Sequence, residues 1–143
     1  MIVTSTARRS FDAHGRLRYT RDDYPKAARE VGEELQIPII DLNKMTRTFY
    51  VTLGVKGSKR AFVHYATNTF ADQPEALHEN THFNTYGAHQ IAKMVLQGIQ
   101  DNRLPIGEHI VDFKRYDPSQ PDRVDQWEWP RSIKNSDIKP DGN

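Results

Sequence analysis

The segment His78-Glu79-Asn80-Thr81-His82 concentrates the chain's candidate chemistry. It matches H-E-x-x-H letter for letter. On a helix, histidines at i and i+4 face one way and can bind zinc, with the glutamate as general base for a metal-bound water. That chemistry needs a helix, yet Asn80, Thr81, Asn84 and Thr85 favour caps and turns. A third ligand is also hard to place, because Gly87 and His89 lie out of the register that continues the metalloprotease motif and Glu108 sits in a proline-flanked region. The same residues offer a second chemistry. A histidine three residues after a carboxylate can act as the base of a hydrolytic triad. The carboxylate orients the imidazole and stabilises its cation, and the imidazole takes the nucleophile's proton. The pair here is Glu79 and His82. The plain alternative is that His82 only hydrogen-bonds near a helix start.

The elements that must position this pair follow from apolar spacing. Ile2-Val3-Thr4 reads as a short buried strand, and Ser10 to Asp23 as a loop. Asp22-Asp23-Tyr24-Pro25 predicts a capped helix start, with Tyr24, Ala27, Ala28, Val31 and Leu35 as its apolar face to about Gln36. Ile37-Pro38-Ile39-Ile40-Asp41 predicts a buried parallel strand. Leu42, Met45, Phe49 and Leu53 then predict a helix ending near Gly54. Val55 to Ala71 reads as loop, from which His64 and Tyr65 can reach a cleft. Asn84-Thr85 caps a helix carried by Ala88, Ile91, Ala92, Val95, Leu96 and Ile99 to about Asp101. Residues 105–143 read as an irregular tail packing on a domain of residues 1–104. Strands alternating with helices predict an α/β chain with a parallel sheet. Two parallel strands make a poor sheet, so part of it is expected to come from elsewhere, through a missing N-terminal half or self-association.

Bulk properties narrow the function classes. The 143 residues suffice for one domain burying about 70% of its unfolded surface. The net charge is +1 and no basic stripe with interleaved aromatics stands out, so nucleic acid is not an expected partner. The absence of cysteine excludes disulfides, thiolate metal sites and a cysteine nucleophile. No apolar run reaches membrane-spanning length and the first residues do not read as a signal peptide.

Several segments together resemble SGNH/GDSL-type hydrolases close to the rhamnogalacturonan acetylesterases. Ile2-Val3-Thr4-Ser5-Thr6-Ala7-Arg8-Arg9-Ser10-Phe11-Asp12 resembles the stretch after their third conserved block. Asp23-Tyr24-Pro25 and Ile37-Pro38-Ile39-Ile40-Asp41-Leu42-Asn43 resemble the helix and strand that follow. Thr81-His82-Phe83-Asn84-Thr85-Tyr86-Gly87-Ala88 resembles the last block, usually D-x-x-H, and Lys139-Pro140-Asp141-Gly142-Asn143 resembles bacterial endings.

The resemblance implies the C-terminal part of a three-layer α/β/α, flavodoxin-like fold with an incomplete sheet in this chain. It makes His82 the catalytic base, with Glu79 standing where the family has aspartate. It implies no cofactor and no metal, and a substrate in acetylated pectic polysaccharide. The family's serine sits in a G-D-S block near its N-terminus, and a glycine and an asparagine from middle blocks help form the oxyanion hole. No G-D-S block occurs here, and Ser5, Ser10, Ser58, Ser119, Ser132 and Ser136 lack nucleophile context. The chain alone is therefore expected to be inactive. Family members are usually exported, so the intact enzyme is expected outside the cytoplasm; the compartment of this chain stays open. Arg8 and Arg9 are candidate contacts for an acidic sugar, with a surface salt bridge as the plainer reading. Trp127 and Trp129 either stack on sugar rings or pin the tail to the domain. A non-catalytic glycan-binding remnant using these residues is the remaining alternative.

Overall fold

The computed structural model describes residues 1–20 and 22–128. Trp129, Ser132, Ser136 and the ending Lys139 to Asn143 lie outside them. A first strand, β1 (Ile2–Val3), pairs in parallel with β2 (Ile39–Ile40), Ile2 opposite Ile39 and Val3 opposite Ile40. The crossover between them is helix α1 (Asp23–Glu34), as parallel pairing requires. Helix α2 (Leu42–Gly57) leads through a 3-10 turn at Ser58–Ala61 into β3 (Phe62–Tyr65). Strand β4 (Leu77–Phe83) returns antiparallel to β3 and runs into helix α3 (Thr85–Asp101). Short 3-10 turns follow at Pro105–His109 and Val124–Gln126. This is a mixed α/β chain with a small parallel sheet and flanking helices, a partial fold of the expected class.

Local chemistry sets the helix ends. Asp41 caps α2, its carboxylate accepting from the Lys44 amide at 3.1 Å, and Asn84 caps α3 by accepting from the Gly87 amide at 3.0 Å. Helical geometry in α2 breaks at Gly54, with φ +69°, a conformation that costs glycine least. That break sits where the sequence predicts the helix to end. The carboxylate cap expected for α1 is not made, since Asp22 gives no side-chain capping bond.

Buried aromatics join the helices to the hairpin. Phe49 and Tyr50 of α2, Phe62 of β3 and Tyr86 of α3 are all essentially inaccessible. The Tyr50 ring lies 5.5 Å from that of Phe62, which stacks on Phe83 at 4.8 Å. Helix α3 crosses β2 closely at Gly98, where a Cβ would fall 2.5 Å from Ile40 Cγ2.

Three sequence expectations need correction. The stretch read as loop contains β3, and residues 77–83 form a strand as well. Strand β4 escapes a periodicity reading because all but Phe83 of its residues are exposed and mostly polar. The third concerns α1. Its expected apolar face is not its buried face: Tyr24, Val31 and Leu35 are exposed, whereas Pro25 and Gly32 are buried. Gly32 takes the inward position because Ile39 presses against it, leaving no room for a Cβ.

Candidate active site

The Glu79–His82 pair owes its geometry to an irregularity in β4. Pairing holds at His64–His78 and Tyr65–Leu77, then shifts before Phe62–Phe83. Glu79, Asn80, Thr81 and His82 therefore stand opposite the single residue Val63. In a regular strand, residues three apart point to opposite faces. The bulge removes that constraint, as bulges beside functional sites commonly do. Both ends of the bulge are fixed. On one side Phe83 stacks on Phe62; on the other the His64 and His78 rings lie 5.9 Å apart.

Beyond Phe83, Asn84 staples the chain down. Its side-chain amide donates to the Arg60 and Phe62 carbonyls at 2.8 and 2.9 Å, and its backbone amide donates to the Ala61 carbonyl at 3.2 Å. Gly87 then lets α3 start against the same carbonyl, since a Cβ there would fall 2.0 Å from the Ala61 oxygen.

Inside the bulge, His82 Nδ1 lies 3.2 Å from Glu79 Oε2. The glutamate side chain thus reaches the imidazole. The Thr81 hydroxyl donates to the same carboxylate oxygen at 2.8 Å. The hydrogen bond from Thr81, followed by that from His82, holds the Glu79 carboxyl below its ordinary pKa against a weaker opposing effect of burial. An ionised Glu79 favours the tautomer with its proton on Nδ1, which leaves Nε2 as the basic nitrogen. Nε2 has no hydrogen-bond partner among the described residues, and the His82 side chain is 77% exposed.

The histidines of the H-E-x-x-H string lie on β4, not on a helix, so the geometry that the zinc reading needs is absent. His78 faces His64 while His82 faces Glu79. Among the described residues, no three histidine, aspartate or glutamate side chains gather as a metal site.

Arg8 and Arg9 go opposite ways. Arg8 is exposed beside a hollow lined also by Ser5, Thr6, Thr20, Tyr24 and Asn43. Arg9 is only 9% exposed, and its partners are uncharged. Nε donates to Ser58 Oγ at 2.9 Å, Nη1 to Asn80 Oδ1 at 2.6 Å and Nη2 to the Val55 carbonyl at 2.5 Å. Burial lowers the pKa of this guanidinium, yet arginine keeps its charge. Ser58 is fully buried under it. His64 Nε2 also approaches Asn80 Oδ1, at 3.2 Å. Asn80 is the residue that sequence reasoning passed over; its partner Arg9 lies 71 positions away, and no local pattern signals that contact.

Trp127 packs against α3, its ring 5.7 Å from Tyr86 and 4.8 Å from His89. Asp122 holds the same segment, accepting from Lys93 at 2.8 Å and Gln90 at 2.9 Å. His89 also approaches Asp122, at 3.7 Å, but that carboxylate is already engaged. A hollow of about 870 Å³ lies between α1 and α2 and includes neither Glu79 nor His82.

No family model matches the chain, and no solved structure does. Two curated proteins of Bacillus subtilis (strain 168) do. Rhamnogalacturonan acetylesterase RhgT is 40% identical over 111 residues, covering 78% of this chain and 48% of that protein. Probable rhamnogalacturonan acetylesterase YesY is 26% identical over 111 residues, covering 78% and 46%. The chain spans about half the length of the curated relatives it matches. Over these 111 residues the chain is therefore similar to rhamnogalacturonan acetylesterases.

Proposed function

We propose that this chain supplies the acid–base half of a carbohydrate acetylesterase site acting on acetylated rhamnogalacturonan. His82 is the general base and Glu79 its orienting carboxylate. The Glu79–His82 hydrogen bond in the β4 bulge carries the reading, because it leaves Nε2 as the basic, solvent-facing nitrogen. In the reaction, Nε2 takes the proton of a serine hydroxyl as its oxygen attacks the acetyl carbonyl. The imidazolium then protonates the departing sugar oxygen, and Glu79 stabilises the cation meanwhile. Water deacylates the serine by the same proton path, releasing acetate.

The nucleophile and the oxyanion donors come from residues outside the 143 described by this sequence. Ser58 is buried against Arg9, and among the described residues Ser5, Ser10 and Ser119 have no histidine hydrogen-bond partner; Ser132 and Ser136 lie outside those residues. A base without nucleophile and oxyanion hole does not perform acyl transfer. The surface supports a missing complement. Ile2 donates its amide to the Pro38 carbonyl and Thr4 to that of Ile40 in β2, and the other edge of β1 is unpaired among the described residues. Val3, Tyr24, Val31 and Leu35 are exposed nearby in sequence or on α1. The partner is accordingly a serine-bearing segment that adds to this sheet, with self-association as the competing use of the same edge.

The test is acetate release from acetylated pectic polysaccharide and from an aryl acetate by the purified chain. The reading expects none above background. Steady turnover by the chain alone would overturn it.

A further inference from the structure

Asn80 shares the bulge with the acid–base pair but plays no part in the proton transfers. Its side chain is exposed, so it adds little to the core, yet it takes two hydrogen bonds on one oxygen. The stronger comes from Arg9, which is itself fixed. Its Nε and Nη2 are held by Ser58 and by the Val55 carbonyl just past the α2 break, and its charge sits 5.6 Å from the Phe11 ring. A buried arginine locked at two of its nitrogens presents the third in a defined direction. That third nitrogen meets Asn80 at 2.6 Å. A charge-assisted bond of this length is among the stronger kinds. It fixes the middle of a four-residue bulge whose flanking residues are Glu79 and Thr81.

We propose that Arg9, acting through Asn80, is a positioning residue that holds the bulge in the shape bringing Glu79 and His82 together. The inference rests on the reading of Glu79 and His82 as the acid–base pair. Arg9 then serves the site from inside, through the backbone of β4, and not by touching substrate. A bulge with four residues facing one has several ways to arrange itself. In the arrangement seen, Asn80 turns to Arg9 while Glu79 meets the His82 ring and Thr81 donates to the Glu79 carboxylate. His64 assists on the same oxygen but approaches at a longer distance.

The experiment is nuclear magnetic resonance on the 143-residue protein. It reads nuclear Overhauser contacts between the Glu79 side chain and the His82 ring, and the titration of the Glu79 carboxyl. The wild type is expected to show the contact and a Glu79 midpoint below the ordinary glutamate value. Asn80→Ala is expected to lose the contact and the downward displacement while the resonances of α2 and α3 stay in place. Asn80→Asp, which keeps an acceptor for Arg9, is expected to retain the contact. His64→Phe, which leaves the Arg9 bond intact, is expected to retain it too. Persistence of the contact in Asn80→Ala overturns the inference and leaves the acid–base reading standing. Loss in His64→Phe overturns the assignment to Arg9. Absence of the contact in the wild type overturns the acid–base reading, and this inference with it.

Discussion

Glu79 Oε2 stands 3.2 Å from His82 Nδ1, although the two residues are an odd step of three positions apart on a strand. Regular β geometry would send these side chains to opposite faces. The register shift between β3 and β4 turns them to one side. Thr81 completes the group by donating to the same oxygen.

The two hydrogen bonds at Glu79 are testable. The Thr81 hydrogen bond is the largest single influence on its carboxyl, and His82 acts through both a hydrogen bond and its charge, all downward. Thr81→Val and His82→Ala should therefore each raise the Glu79 midpoint, as followed by carbon-detected titration. A depressed folded pKa means that the favourable contact is fully present above the unfolded glutamate value. It is lost as pH falls through the lower, folded value. Equal midpoints in the two variants and the wild type would remove the basis for an oriented imidazole.

Gly87 and Gly98 predict different outcomes for the same substitution. At Gly87 a Cβ would meet the backbone oxygen of Ala61 at 2.0 Å, and at Gly98 it would meet the Ile40 side chain at 2.5 Å. Backbone yields less readily than a side chain. Gly87→Ala should cost about 3 kcal/mol or more and Gly98→Ala less, following the range for overpacked cores. Urea denaturation measures both. A smaller cost at Gly87 would mean that α3 shifts without resistance from the hairpin.

Asp41 links β2 to α2. Its carboxylate accepts from Arg29 at 2.8 Å, from Thr4 Oγ1 at 3.0 Å and from the Lys44 amide. Burial pushes this carboxyl up, but the bonds from Arg29, Lys44 and Thr4 outweigh it, so its pKa lies below the ordinary value. Its stabilisation is then present above the unfolded aspartate pKa and is lost as pH falls through the folded one. Asp41→Ala should cost about 2 kcal/mol at neutral pH, the scale of a lost cap with charged hydrogen bonds, and the difference from wild type should shrink in acid. A pH-independent difference would assign the effect to packing alone.

The free edge of β1 predicts concentration-dependent association. Val3 is 43% exposed there. Val3→Lys should reduce association in sedimentation experiments, because an exposed charge blocks edge pairing. A wild-type chain that stays monomeric at high concentration would argue against self-association as a use of that edge.

The sequence made some of this legible and hid the rest for physical reasons. Helices α2 and α3 were readable because their apolar residues recur at helical spacing and because Gly54 and Asn84 mark ends with definite chemistry. Strand β2 was readable as an apolar run. The buried face of α1 was not, because burial depends on what the helix meets: Ile39 selects Gly32, and Tyr24, Val31 and Leu35 remain outside. The hairpin was hidden because β4 is polar and exposed, with no alternation to detect. His82 and Glu79 were legible as residue types at a suggestive spacing. Their meeting depends on a bulge, and the hold on that bulge comes from Arg9, 71 residues before Asn80. Such contacts exist only once the chain has folded.

The measurement that bears most directly on the proposed function is reconstitution. Acetate release from acetylated rhamnogalacturonan is followed with this chain alone, with a G-D-S-bearing segment alone, and with the two mixed, each with native chain and with His82→Ala. The account predicts release only in the mixture, and a loss of at least about 10³-fold in His82→Ala, the scale seen when a triad member is removed. Release that survives His82→Ala unchanged would contradict it.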